Sequence, residues 1–299
     1  MAVTLKPLGE QVIVITGASS GIGLATAVAA AKQGARVVLA ARSGQTLDEI
    51  VESINAGGGK AISIVADVAD RQQVERVAAA AVSQFGRIDT WVNNAGVSIY
   101  GRLTEVSEED SRRLFDTNFW GIVNGSLVAV KHMRSMGGAL INVGSEVSDA
   151  VVPLQGMYSA SKHAVKGFTD ALRVELEVDK APISITLIQP TAVNTPYPQH
   201  AKNYMDREPK LPTPQIKPDQ VAEAILDAAT TERRDVKVGM GAKVNTFLAK
   251  NLPSLGDWAS GKQINRQQRK ESPRNPDGTL FVPGEGGQIY GDPVQGSNA

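Results

Sequence analysis

Near the N-terminus the chain reads Val12-Ile13-Val14-Ile15-Thr16-Gly17-Ala18-Ser19-Ser20-Gly21-Ile22-Gly23, and this stretch decides the fold. Its first four residues are apolar and β-branched, which is typical of a strand buried on both faces of a parallel sheet. An alanine-rich helical segment follows over 24–33. The helix N-terminus supplies unpaired N–H groups and a positive dipole end for an anion. An ordinary glycine-rich turn is the alternative, but three glycines between a buried strand and a helix favour nucleotide binding.

A second stretch, Tyr158-Ser159-Ala160-Ser161-Lys162, places a phenol and an ammonium group four residues apart. This spacing brings the two groups onto one face of a helix. A free tyrosine titrates near about 10, and a nearby ammonium group lowers that pKa because it stabilises the phenolate. The pair therefore indicates proton transfer, although the same spacing also occurs by chance on solvated helix faces.

Apolar strand candidates alternate with helical stretches along most of the chain. The predicted strands cover 12–16, 36–41, 61–66, 89–93, 139–144, 183–189 and 235–239, and the predicted helices cover 22–33, 45–55, 71–85, 108–134, 157–178 and 218–230. This alternation predicts an α/β fold, a Rossmann-type doubly wound parallel sheet with helices on both faces. Ligands of such sheets bind beyond the carboxyl ends of the strands.

The motifs at these strand ends resemble those of the short-chain dehydrogenase/reductase family in its compact single-domain form. The glycine spacing Gly17-x-x-x-Gly21-x-Gly23 is that family's. The other motifs follow in the family's order over residues 11–239, namely Asp67-Val68, Asn93-Asn94-Ala95-Gly96, Asn118, Ser145, Tyr158, Lys162, and Pro190 to Pro196. Chance would have to produce the whole set in order, so the resemblance is specific.

The resemblance implies hydride transfer from a nicotinamide cofactor, with Tyr158 as the proton donor to a carbonyl oxygen. Ser145 would stabilise the developing alkoxide. Lys162 would lower the pKa of Tyr158 and bind the ribose, and Asn118 would support a proton relay through its backbone. The predicted catalytic residues are therefore Asn118, Ser145, Tyr158 and Lys162. The predicted cofactor-binding residues are Gly17, Ser19, Ser20, Gly21, Ile22, Gly23, Arg42, Asp67, Val68, Asn94, Ala95, Gly96, Tyr158, Lys162, Val193 and Thr195.

The end of the second predicted strand favours NADP over NAD. NAD-binding folds place an acidic residue there, about 20 residues past the glycines, to hold the ribose hydroxyls. Here the strand leads through Ala41 to Arg42, and no acid appears before Asp48. A guanidinium group can bind a 2′-phosphate that an acid would repel. A merely solvated Arg42 is the alternative, and it would leave the missing acid unexplained.

Two positions depart from the family pattern. Thr191 follows Pro190 where the family has glycine, which leaves the shape of that loop open. Glu146, beside Ser145, either recognises a polar substrate group or faces solvent. The segment between Thr195 and Pro218 predicts a substrate lid because family members vary there, with a plain surface excursion as the alternative.

Composition narrows the class of protein further. The 299 residues include 31 basic and 31 acidic side chains, so no nucleic-acid partner is expected. There is no cysteine, and the three histidines, His132, His163 and His200, show no metal spacing, so no metal site is predicted. The absence of a signal peptide or of an apolar run of about 18 residues predicts a cytoplasmic protein without a membrane span.

The chain is predicted to divide into a dinucleotide-binding and catalytic domain over 1–250 and a largely disordered tail over 251–299. The tail is polar and rich in glycine and proline, which does not favour a buried core. By resemblance, the helices near 108–134 and 157–178 form the interface of a homodimer or homotetramer. The expected function is NADP-dependent interconversion of an alcohol and a ketone or aldehyde. A nucleotide-binding regulatory protein with little turnover is the alternative.

Overall fold

A parallel sheet with helices on both faces forms the centre of the molecule. The computed structural model describes residues 3–262, 264–284 and 286–291. The strands are β1 (Val12–Thr16), β2 (Arg36–Ala41), β3 (Lys60–Val65), β4 (Thr90–Asn93), β5 (Ile99–Tyr100), β6 (Gly138–Val143), β7 (Ile183–Pro190), β8 (Lys202–Asn203) and β9 (Asp235–Val238). The helices are α1 (Gly21–Lys32), α2 (Gly44–Ala56), α3 (Arg71–Phe85), α4 (Glu108–Phe115), α5 (Gly121–Met133), α6 (Gly156–Val178), α7 (Tyr197–His200), α8 (Pro218–Thr230), α9 (Met240–Asn251) and α10 (Pro253–Gly261).

Within these residues the main sheet has seven strands in the order β3-β2-β1-β4-β6-β7-β9, and every neighbouring pair is parallel. Strand order reverses between β1 and β4, which is where ligands of doubly wound sheets bind. The predicted α/β fold is confirmed. The predicted strands of the main sheet agree with the observed bounds to within one residue at each end.

The two faces of β1 explain why its sequence is apolar throughout. Ile13 and Ile15 point into a cluster that contains residues of α1, α2 and α8. Val12 and Val14 point into a second cluster, built with α3, α5 and α6. All four side chains are fully buried, so each successive position needs an apolar residue.

Two features differ from the sequence-based expectations. The helix predicted over 108–134 is divided into α4, a π-helical turn Asp116–Trp120, and α5. In the turn the Gly121 N–H bonds to Asp116 O, so one extra residue is accommodated without breaking the apolar periodicity. Regular structure also continues past residue 239, through α9 and α10, and residues 278–291, apart from 285, lie against the domain. The rest of the predicted tail, 292–299, lies outside the described residues.

No helix in the described ranges is both long enough and apolar enough to cross a membrane.

Candidate active site

A cavity of about 270 Å³ lies beyond the carboxyl ends of the central strands. Its walls contain most of the residues that the sequence predicts for the site, namely Gly17, Ser19, Ser20, Gly21, Ile22, Arg42, Asp67, Val68, Asn94, Ala95, Gly96, Ser145, Tyr158, Lys162, Val193 and Thr195. Gly23 and Asn118 lie behind the wall and are fully or almost fully buried. The glycine-rich turn and the Tyr158 region therefore face one continuous space.

The glycine-rich turn requires its glycines for close backbone packing. Gly17 has a φ of +65°, and a Cβ there would lie 2.7 Å from the Ala95 Cα. A Cβ on Gly23 would lie 2.2 Å from the Gly17 carbonyl oxygen. The Asn94 amide donates to the carbonyl oxygens of Thr16 (3.0 Å) and Gly17 (3.1 Å). Asn94, predicted as a cofactor ligand, thus holds the turn in shape with its side chain.

The opposite edge of this turn contacts the loop after β7. A Cβ built on Gly21 would lie 3.2 Å from the Thr195 side chain, so the two segments are in direct contact. The Thr195 N–H donates to the Val193 carbonyl at 2.8 Å, which folds the loop tightly there. Val193 and Thr195 therefore lie beside the glycine-rich turn, as their predicted role requires.

Tyr158 and Lys162 lie one turn apart on α6, with Ser145 facing them from the end of β6. The Lys162 ammonium donates to the Val143 carbonyl at 2.9 Å and lies 5.7 Å from the centre of the Tyr158 ring. Burial raises the pKa of Tyr158 to about 12, and hydrogen bonds with Ser145 and Tyr197 offset part of that rise. Burial also lowers the pKa of Lys162 to about 8. The surroundings therefore raise the pKa of Tyr158, mainly through burial, where the sequence alone predicts that Lys162 lowers it.

Tyr197 is a site residue that sequence reasoning missed. Its ring packs edge-on against Tyr158, with centroids 5.6 Å apart, and its hydroxyl donates to Gln155 Oε1 at 3.0 Å. Burial raises the pKa of Tyr197 well above its usual value, so its hydroxyl stays protonated. The only signal was its position in the predicted lid, between two prolines that start α7.

Asn118 acts through its side chain as well as its position in the π-helical turn. Its amide nitrogen donates to the Val97 carbonyl at 2.9 Å and to the Ser161 hydroxyl at 3.2 Å. Its carbonyl oxygen accepts from the Val97 N–H at 2.8 Å. These bonds join the segment after β4 to α6, the helix of Tyr158. The sequence predicts a role for the Asn118 backbone only.

At the nucleotide end of the cavity, Arg42 and Arg113 both interact electrostatically with Asp67. Arg113 donates to the Asp67 carboxylate at 2.5 Å. Arg42 donates from its two terminal nitrogens to the carbonyls of Leu280 (3.2 Å) and Thr279 (2.5 Å). Sequence reasoning missed Arg113, because nothing distinguishes it from other charged residues on a helix.

The two departures from the family pattern contact each other. The Glu146 carboxylate is nearly buried and accepts from the Thr191 hydroxyl at 3.1 Å and from the Asn245 amide of α9 at 2.9 Å. Burial raises the pKa of Glu146, while these two hydrogen bonds lower it. Glu146 thus does not face solvent. It connects the turn after Ser145 with the loop after β7 and with α9.

Comparisons with known proteins agree with this geometry. A family model described as short chain dehydrogenase matches residues 11–205. The chain is 48% identical over 275 residues to the uncharacterized oxidoreductase YxnA of Bacillus subtilis (strain 168), covering 91% of this chain and 77% of that protein. It is 31% identical over 287 residues to 11-beta-hydroxysteroid dehydrogenase A of Sesamum indicum, covering 92% of this chain and 80% of that protein.

A solved structure is similar as well. It is an alcohol dehydrogenase from the archaeon Thermococcus sibiricus, complexed with 5-hydroxy-NADP. The two chains are 27% identical with a TM-score of 0.68, over 76% of this chain and 95% of the archaeal chain. Together with the family model and the motifs around the cavity, these similarities show that the chain is an oxidoreductase of the short-chain dehydrogenase/reductase family.

Proposed function

We propose that the protein is an NADP-dependent oxidoreductase that interconverts an alcohol and a ketone or aldehyde, with Tyr158 as the acid and base. The observation that carries this proposal is the single cavity that joins the glycine-rich turn to Ser145, Tyr158 and Lys162. A protein that only bound the nucleotide would not need an acid, an oxyanion donor and an ammonium group beside its site.

The donors around the nucleotide end fit a dinucleotide. In the part of the chain that the structure describes, no hydrogen bond uses the Ile22 N–H in the first turn of α1, and the Arg42 guanidinium has N–H groups beyond the two that hold carbonyl oxygens, so both suit phosphate oxygens. We propose that Arg42, with Ala41 in place of an acid, selects the 2′-phosphate of NADP. The similar archaeal dehydrogenase was solved with an NADP analogue, which supports this preference. When bound, the nicotinamide supplies or accepts the hydride.

The side chains at the other end support the proton transfer. With a pKa of about 12, Tyr158 is protonated at neutral pH and can donate its proton to a carbonyl oxygen. The Ser145 hydroxyl donates a hydrogen bond to the same oxygen as negative charge develops there. Lys162 is charged below a pH of about 8, and its charge stabilises the phenolate that forms when Tyr158 gives up its proton.

The substrate part of the cavity is largely apolar. Its walls include Val97, Val147, Val152, Leu211 and Pro212, with Tyr197 beside Tyr158. We propose a substrate with an apolar body and a single reacting hydroxyl or carbonyl group. The similarity to a plant hydroxysteroid dehydrogenase is compatible with such a substrate.

Replacing Tyr158→Phe tests the proposal because it removes only the transferable proton. We expect turnover of a responsive alcohol or ketone to fall by about 10²–10⁴-fold. The Kd for NADPH should change by less than about twofold, because the Lys162 ammonium and the glycine-rich turn remain. Initial rates and fluorescence titration measure the two effects. Tyr204→Phe is the matched control, since the Tyr204 hydroxyl bonds to Asp110 outside the cavity.

Two results would contradict the proposal. Substantial activity of the Tyr158→Phe protein would remove Tyr158 as the acid. Tight NADPH binding by the wild-type protein without turnover of any substrate in a broad alcohol and carbonyl panel would favour the regulatory alternative.

The quaternary structure and the compartment stay predictions. A homodimer or homotetramer is supported by apolar side chains exposed around α5 and α6, which are Trp120, Leu127, Val174 and Val178. The cytoplasmic location rests on the sequence.

A further inference from the structure

The C-terminal strap, residues 278–284 and 286–291, crosses the open side of the cavity. It begins at α7, where the Thr279 N–H and hydroxyl both donate to the His200 carbonyl. The next residue, Leu280, is 1% exposed and packs in a cluster with Val97, Ile99 and Leu114. The strap is therefore anchored on the substrate side by one buried side chain.

The middle of the strap bonds to the residues predicted to hold the nucleotide. Arg42 donates to the carbonyls of Thr279 and Leu280, and the Ser43 hydroxyl donates to the Gly284 carbonyl at 3.3 Å. Two backbone bonds then join the strap to the glycine-rich turn. The Gly287 N–H donates to the Ser19 carbonyl at 2.7 Å, and the Gly21 N–H donates to the Gln288 carbonyl at 2.9 Å.

The C-terminal end of the strap is bound to the domain outside the cavity. The Tyr290 hydroxyl donates to the Asp219 carboxylate in the first turn of α8. Ile289 packs against the apolar cluster under α1 and α8. The strap is thus held at both ends, with the glycine-rich turn between its two anchors.

The cavity persists beneath the strap. Thr279, Pro283 and Gly284 form part of the same wall as Ile22 and Tyr158. Among the described residues, no hydrogen bond uses the Ile22 N–H, although Ile22 lines the cavity. The strap therefore covers the cavity, and the first turn of α1 has an N–H at the cavity wall that no bond among the described residues uses.

The strap is also a segment that can open without unfolding the domain. Phe281, Val282 and Tyr290 are substantially exposed, so little apolar surface besides Leu280 and the partly buried Ile289 holds it. Segments held mainly by exposed backbone hydrogen bonds open at a small fraction of the global free energy of unfolding.

We propose that the strap closes over the bound cofactor and that the cofactor exchanges only when the strap lifts. This inference rests on the proposed nucleotide site and adds a step that controls entry and release. Strap opening then limits the dissociation of the nucleotide, and with it turnover when product release is slow.

A reversible disulfide bond between the strap and the glycine-rich turn tests the proposal. A Cβ at position 286 would lie 3.4 Å from the Ser19 Cβ, close to the Cβ–Cβ distance of about 3.5–4.5 Å in disulfides. The full-length Ser19→Cys/Gly286→Cys variant can form only this disulfide within one chain, because the chain has no cysteine of its own. All variants carry Thr46→Ser, which removes the methyl group that would lie 2.8 Å from the new Cβ.

The reduced variant is loaded with NADPH, oxidised, passed through a desalting column, and followed by NADPH fluorescence during displacement with excess NADP. We expect the oxidised protein to retain NADPH with a dissociation rate at least tenfold below that of the reduced protein. Each single-cysteine variant serves as a control and should release NADPH at the same rate with or without oxidant. In the otherwise wild-type chain, Tyr290→Phe should speed release severalfold.

Different failures have different meanings. If bound NADPH prevents the disulfide from forming, the strap and the cofactor exclude each other and the proposal is overturned. Equal dissociation rates for the oxidised and reduced forms, together with an unchanged rate for Tyr290→Phe, overturn it as well. If the wild-type protein binds neither NADPH nor NADH, the proposed function fails before the strap is tested.

Discussion

The glycine-rich turn and the C-terminal strap enclose the same cavity, but they are held in different ways. The turn connects β1, whose residues are all buried, with α1, most of whose residues are buried, and its Gly17 and Gly23 lie against backbone atoms. The strap lies on the solvent side and is attached by hydrogen bonds, both between backbone groups and through the side chains of Arg42 and Tyr290, and by one buried leucine.

This difference explains why the sequence reveals one region and hides the other. Apolar periodicity detects segments that bury side chains in a core, as Val12 to Ile15 do. The strap needs no such pattern, because its carbonyl oxygens accept hydrogen bonds from the Arg42 side chain and the Gly21 N–H. Low apolar content therefore predicts that a segment cannot fold alone, but it does not predict whether a folded surface will bind it.

The largest effect should come from crowding the turn. In Gly23→Ala the new Cβ would meet the Gly17 carbonyl oxygen at 2.2 Å, and neither backbone segment can move freely. Overpacking typically costs about 1–3 kcal/mol, and a contact this short should cost at least about 3 kcal/mol, so we expect Tm to fall by at least about 5 °C. Differential scanning calorimetry and NADPH titration should show a less stable protein that also binds the nucleotide poorly.

Gly167→Ala is the matched control, because Gly167 lies exposed in α6 and a Cβ there meets nothing within 4 Å. Alanine is a better helix former than glycine, so the free energy of unfolding should rise by about 0.5–1 kcal/mol. A Gly23→Ala protein as stable as this control would show that the turn is not closely packed.

A smaller effect on global stability is expected at the strap. Leu280→Ala removes a fully buried side chain, a change that costs about 2–5 kcal/mol in a rigid core. In our proposal the strap detaches without unfolding the domain, so we expect Tm to change by less than about 2 °C. Hydrogen exchange at the amides of Gly21 and Gly287, which bond between turn and strap, should become at least tenfold faster.

Phe281→Ala is the control for this change, since Phe281 is about half exposed. This substitution should leave both Tm and the hydrogen-exchange rates of the Gly21 and Gly287 amides close to the wild-type values. A loss of Tm in Leu280→Ala as large as that in Gly23→Ala would mean that the strap belongs to the cooperative core.

A gain in stability, unlike the losses above, is expected at the connection through α9. Both donors to Glu146 reach the same carboxylate oxygen, Oε2, so the amide oxygen of Glu146→Gln can accept both bonds. Burial raises the pKa of Glu146 in the folded protein, so ionisation opposes folding as pH rises above the ordinary value of 4.5. We expect Glu146→Gln to gain on the order of 1 kcal/mol at neutral pH, or about 2–4 °C in Tm.

This gain should disappear in acid, where the wild-type carboxyl is protonated in both the folded and the unfolded protein. Thermal melts at neutral pH and below the ordinary glutamate pKa measure the difference. A neutral-pH loss of stability would show that the negative charge itself holds Thr191 and Asn245.

Much of the fold and part of the site follow from the sequence. Strand positions and the strand-end motifs are predictable because parallel strands bury every side chain and carry their ligands at one edge. The π-helical turn at Asn118 is not predictable, because one inserted residue barely changes the helical pattern. The partners of Asp67 and Glu146 also stay hidden, because Arg113 and Asn245 come from distant segments and show no local signal.

Arg42 joins two properties of the protein in a single side chain. The guanidinium that selects the nucleotide in our proposal also donates two hydrogen bonds to the strap. A substitution at this position that shifts coenzyme choice therefore also loosens the roof of the site. In our proposal the two traits change together, so a change of coenzyme calls for a compensating substitution around residues 279 and 280.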